Sequence, residues 1–128
     1  MIQILPMEAR EREQALLESL PVLGDGPRGL AMEDRGEALG YVAVELLDGA
    51  LRILKLEAAG WDVSQKPQGE QVFVLDSLVR AAASYGETFG AQRIETVFRD
   101  FFGFFKARGF GVDESHAFGP MGLIVRYG

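Results

Sequence analysis

The chain has 128 residues, 48% of them apolar and 25% charged, with a formal net charge of -6, which fits one globular domain with a single core. It contains no cysteine and one histidine, His116, which excludes disulfides, thiolate nucleophiles, Cys-based metal sites and histidine clusters. An acidic chain without a basic run lacks the phosphate attraction that nucleic-acid binding needs, and no apolar run approaches the ~20 residues of a membrane span.

Residues 2–5 form a short apolar run stopped by Pro6, read as a first strand. The opening MIQILPMEAREREQ turns charged after five residues and has no signal-peptide apolar core, so a cytoplasmic location is expected. Residues 8–20 read as a helix with Leu16, Leu17 and Leu20 on one face and charges on the other. Pro21 ends it, and Gly24-Asp25-Gly26-Pro27 is a loop by composition. Residues 29–33 (GLAME), 39–47 (LGYVAVELL) and 51–57 (LRILKLE) read as three antiparallel strands. Asp48-Gly49 between the last two is the signal for a tight hairpin turn with positive backbone angles.

After a loop over residues 58–69, Val72, Leu75, Leu78, Val79, Ala82, Ala83, Gly86 and Phe89 recur at helical spacing, and Gly90 stops the helix. Residues 92–98 (QRIETVF) follow with strand spacing. Strand, helix and strand in that order make a right-handed crossover, with residues 51–57 and 92–98 parallel. Residues 100–108 (DFFGFFKAR) read as a short helix. Residues 110–113 and 122–127 read as a final hairpin across residues 114–121, with an edge through which a homodimer could form. No repeat or long linker divides the chain, so residues 1–128 read as a single domain. The fold class is α/β (α+β): a mixed, mostly antiparallel central sheet with one parallel βαβ crossover. In such units ligands bind at the mouth, where the first parallel strand ends and the helix begins.

This order of elements resembles the GNAT superfamily of acyl-CoA-dependent N-acetyltransferases. LGYVAVEL and LRILKLE stand where the family has central strands, and DSLVRAAASYGETFGAQRIE where it has its main helix and following strand. FFKARGF stands where a short tyrosine-containing helix closes on "LGF". The resemblance implies acetyl-CoA as co-substrate and an amine of a small molecule or peptide as acceptor. It also implies parallel strands that splay near the end of residues 51–58, so that main chain around Leu56 and Ala58 meets the pantetheine arm. The next helix would present its first amides to the pyrophosphate, and unpartnered N–H groups with partial positive charge suit that role on physical grounds. The corresponding stretch holds Lys66, Gly69, Glu70, Gln71 and Val72. Here the chain departs from the family's phosphate loop. Only Gly69 permits close approach, only Lys66 supplies a cation, and the segment also works as a plain helix cap. Phe105 stands where many members carry the tyrosine that protonates the departing thiolate, and Tyr85 and Tyr127 are the available substitutes.

Acetyl transfer to an amine needs a proton acceptor, stabilisation of the carbonyl oxygen, and juxtaposition of the reactants. Glu57, at the end of the third antiparallel strand, is the candidate base. Lys55 would share its strand face if no bulge intervenes, and a salt bridge between the two is the competing account. Glu45 is a second carboxylate candidate, Tyr85 the candidate acid, and the N–H of Leu56 or Ala58 could polarise the thioester carbonyl. Trp61 reads as a stacking residue or a lid, and His116 as a solvated loop residue. The alternative to an enzyme is a catalytically silent domain of the same fold that binds a ligand or a protein.

Overall fold

A computed structural model of the chain describes residues 2–6, 10–20, 22, 24–61, 67, 69–96, 111–112 and 117–120. Two tight turns set its centre. Arg35, Gly36, Asp48 and Gly49 all have positive φ (53°, 82°, 50° and 78°), the backbone of two-residue hairpin loops whose twist matches that of the strands. The turns join β2 (Asp25–Asp34) to β3 (Glu37–Leu47) and β3 to β4 (Ala50–Ala58), both pairs antiparallel. β1 (Ile2–Pro6) pairs antiparallel with β2, and α1 (Arg10–Glu18) packs against β2. α2 (Glu70–Thr88) then carries the chain over to β5 (Arg93–Thr96), which lies parallel to β4. Among the described residues β6 (Gly111–Val112) and β7 (Ala117–Pro120) join these in a sheet of seven strands in the order β1-β2-β3-β4-β5-β7-β6. It is the mixed, mostly antiparallel sheet with one parallel crossover that the sequence leads one to expect.

α2 presents Val74, Leu75, Leu78, Val79, Ala82, Ala83 and Gly86 to the sheet, where they meet Leu30, Met32, Val42, Val44, Leu51, Ile53, Leu56 and Ile94. Each large side chain so buried contributes roughly 1.5–3 kcal/mol. Val74 belongs to this stripe because it lies one turn before Leu78. Phe89 does not: it is the C-cap residue, 59% exposed, and leans on Tyr85 with ring centroids 4.9 Å apart. Gly90 (φ 83°) ends the helix as expected. Its N–H bonds the Glu87 carbonyl at 3.0 Å and the Ala91 N–H bonds that of Gly86 at 2.9 Å, a Schellman closure.

Two boundaries differ from the sequence reading. β2 begins at Asp25, inside the expected loop, because its register with β3 breaks between Asp25 and Arg28 and lets Gly26 and Pro27 pass unpaired. The last described strand is Ala117–Pro120, placed within the expected turn and paired with both β5 and β6. Pro120 sits at the strand end opposite Arg93, where a missing N–H is tolerated. The expected helix at residues 100–108 and strand at 122–127 lie outside the described residues. Among the described residues no helix is long and apolar enough to cross a membrane.

Candidate active site

Among the described residues the parallel pair has four rungs. β4 and β5 match from Ala50 opposite Arg93 to Ile53 opposite Thr96, and at that last rung the Thr96 hydroxyl donates to the Ile53 carbonyl at 2.7 Å. β4 runs on to Ala58, and among the described residues its Leu54–Ala58 stretch is paired only to β3. A bulge marks the change. Val44 lies opposite Ile53 but Ala43 lies opposite Lys55, so Leu54 is the extra residue. One added residue reverses which side chains face which way. Leu51 and Ile53 point to the α2 core before it, Leu56 and Ala58 after it. Arg52 before the bulge, and Lys55 and Glu57 after it, therefore share the opposite face. Lys55 and Glu57 lie on one side, as expected if no bulge falls between them.

Next to this end of β4 stands the start of α2. Gly69, its N-cap, has φ 58°, a left-handed conformation that favours glycine. Among the described residues no side chain caps the helix there, so Glu70, Gln71 and Val72 begin it without the usual acceptor for their amides among them. The Gln71 side chain donates to the Gly60 carbonyl at 3.3 Å, tying the helix start to the turn after β4. Trp61 is buried in the core and its N–H bonds the Ala58 carbonyl at 3.0 Å, which makes it packing rather than an exposed stacking surface. Lys66, Phe105, His116 and Tyr127 lie outside the described residues.

On the face opposite α2, two polar groups occupy the two ends of β4. Glu45 is fully buried: its carboxylate accepts from Arg52 Nη1 at 2.7 Å and from the Gly24 N–H at 2.8 Å. Arg52 Nε lies 3.6 Å from Glu95 on β5. Glu45, the second carboxylate candidate, is thus committed to holding β3, β4 and β5 together. At the other end Glu57 is exposed and lies opposite Tyr41 on β3. The Tyr41 hydroxyl is hydrogen-bonded to the Glu57 carboxylate. Its proton is held well above the ordinary phenol range, first by burial and then by that bond and the carboxylate's charge.

The sequence reading missed Tyr41, and the reason is the bulge. Counted back from the Asp48-Gly49 turn in unbroken register, Tyr41 falls opposite Leu56 and away from Glu57; the extra Leu54 brings it opposite Glu57. Tyr85 is not brought to Glu57. It packs against the core on the α2 side of the sheet, about 16 Å along the helix from Val74 at the 1.5 Å rise per residue. Val74 is level with Gly40 and Ala58, at the Glu57 end of β4. Tyr85, the candidate acid for the departing thiolate, belongs to the far end of α2 from Glu57. Among the described residues no group of three or more His, Asp or Glu side chains could hold a metal.

No protein-family model matches the sequence, and no curated protein matches it. Solved structures do match the fold. An acetyltransferase of the GNAT family from Staphylococcus aureus MU50 superimposes with a TM-score of 0.64 at 11% identity, covering 94% of this chain and 99% of that one. The ribosomal-protein-S18-alanine N-acetyltransferase from Escherichia coli gives 0.64 at 9% identity, with 94% of each chain covered. A Bacillus subtilis acetyltransferase in complex with CoA gives 0.62 at 13% identity, covering 94% and 99%. The fold is that of the GNAT acetyltransferases, over nearly the whole length of the chain.

Proposed function

We propose that the chain is an N-acetyltransferase acting in the cytoplasm, moving an acetyl group from acetyl-CoA to an amine of a small molecule or peptide by direct transfer. The observation that carries this reading is the end of β4 at Ala58 lying beside the start of α2, tied to it by Gln71 and Gly60, within the fold shared with the GNAT acetyltransferases. A pantetheine arm fits main chain at Leu56 and Ala58, and a pyrophosphate fits the amides after Gly69, with Lys66 as the nearest cation in sequence. Acetyl-CoA supplies the activated thioester. Glu57 takes the proton that the amine nitrogen loses as the C–N bond forms and the C–S bond breaks. The N–H of Leu56 or Ala58 polarises the carbonyl, and the departing thiolate takes its proton from water. Likeness to a structure that holds CoA supports the co-substrate. Phe105 and the Glu70 carboxylate favour the other reading, a domain of this fold that binds without reacting.

Thermal melting with acetyl-CoA tests the proposal first. At 100 times its dissociation constant a ligand stabilises by about 2.7 kcal/mol, so a rise in Tm is expected with acetyl-CoA and with CoA. No shift with either at millimolar concentration overturns the enzyme. Binding without thiol release across a panel of amines leaves the silent domain.

A further inference from the structure

The assigned base has a partner that neither the fold nor the sequence pattern brings to mind. We infer that Tyr41 is the positioning residue of Glu57: its hydroxyl reaches across the β3–β4 ladder and holds the carboxylate in one orientation. The inference rests on the transferase reading above and names the part of that site which orients the base.

Three observations meet here. The bulge at Leu54 aligns Tyr41 directly opposite Glu57 on the face away from α2, where Cβ atoms of facing residues are only about 4.5–5.5 Å apart. The ring is half-buried while the carboxylate is exposed, so the tyrosine is fixed by packing and the glutamate is not. An exposed glutamate samples several rotamers, and only a fraction of them directs its oxygen at a reacting amine. One hydrogen bond from a packed donor selects among them. The phenol also stays protonated, because burial and the adjacent carboxylate both disfavour its anion. Tyr41 therefore remains a donor through the cycle. The proton from the amine goes to Glu57, and Tyr41 neither gives up nor receives one. Lys55, on the same face of β4, and Glu57 itself are the charged groups nearest the phenol along these two strands.

A double-mutant cycle tests this with the full chain, acetyl-CoA and an amine that the wild type acetylates. Tyr41→Phe keeps the ring and removes the hydroxyl. It should lower kcat roughly ten-fold, leave KM for acetyl-CoA unchanged, and leave the Tm shift with CoA intact. Glu57→Gln should lower kcat by about 10²-fold or more, as loss of a general base does. Added to Glu57→Gln, the Tyr41 change should have no further effect, because it acts only through that carboxylate. An unchanged kcat in Tyr41→Phe overturns the inference and leaves the transferase reading standing. A loss that persists in the Glu57→Gln background also overturns it, since Tyr41 would then act on the reacting groups directly. A wild type that acetylates no amine overturns both.

Discussion

Arg52 and Glu57 stand on one face of one strand and have opposite fates. Arg52 lies where β4 has neighbours on both sides, and its guanidinium, 7% exposed, is shared between Glu45 on β3 and Glu95 on β5. Glu57 lies where the described residues pair β4 on one side only, and it is exposed. Residue type does not decide which polar group is structural and which is available for chemistry. The groups that reach each position along the strand do. The Leu54 bulge lies between the two positions.

The strongest way to break the contrast is to remove the cation at the closed end. Arg52→Met leaves Glu45, with no exposed surface, beside an apolar side chain. Stranding one partner of a buried ion pair costs about 3–5 kcal/mol, which should appear as a large fall in the denaturant midpoint. Glu57→Gln at the open end should leave that midpoint where it is, because exposed substitutions rarely matter to stability. Equal losses from the two changes would show that both ends are structural.

A smaller effect is expected from Gly40→Ala, which disturbs the open end alone. Gly40 lies opposite Ala58 on the core face, and an added Cβ would strike the Glu57 carbonyl and approach Val74 Cγ1 to 2.9 Å. The carbonyl belongs to the strand and cannot swing aside. Overpacking of this kind costs about 1–3 kcal/mol, and it falls beneath the first turns of α2. Tm should drop and the stabilisation by acetyl-CoA should shrink with it. Retention of the full acetyl-CoA shift would separate this end of β4 from the ligand.

Much of this architecture was legible because it is written locally. Asp48-Gly49 and Gly90 need positive φ, and the apolar spacing of α2 is set by its own sequence. The parallel crossover followed from element order. What stayed hidden depends on pairing between distant strands. Nothing in LRILKLE marks Leu54 as a bulge, since leucine fits either side of a buried strand. Without the bulge Tyr41 cannot be matched to Glu57, nor Arg52 placed on the same face as Glu57. Glu45 in VAVELL was visible as an anomaly, but whether it served chemistry or packing depended on Arg52 and Gly24 reaching it. Ala117–Pro120 was obscured by turn-forming residues that the sheet accommodates at its end.

The smallest effect, and the most specific, is a pH dependence at the open end. The ordinary phenol value is 10.0, and in the folded chain Tyr41 deprotonates above it, because burial and then Glu57 disfavour the phenolate. Below 10.0 the group is protonated whether the chain is folded or not, so its contribution to stability is intact. Above 10.0 the unfolded chain loses the proton first, and stability falls with rising pH until the folded phenol ionises as well. Unfolding midpoints measured on the alkaline side should therefore slope downward in the wild type. Tyr41→Phe should remove the part of that slope due to this phenol, and Glu57→Gln should weaken that part without abolishing it, since burial is the larger cause. A slope identical in all three proteins would mean that Tyr41 titrates alike folded and unfolded, and the contrast between a sealed and an open end of β4 would lose its polar link at Glu57.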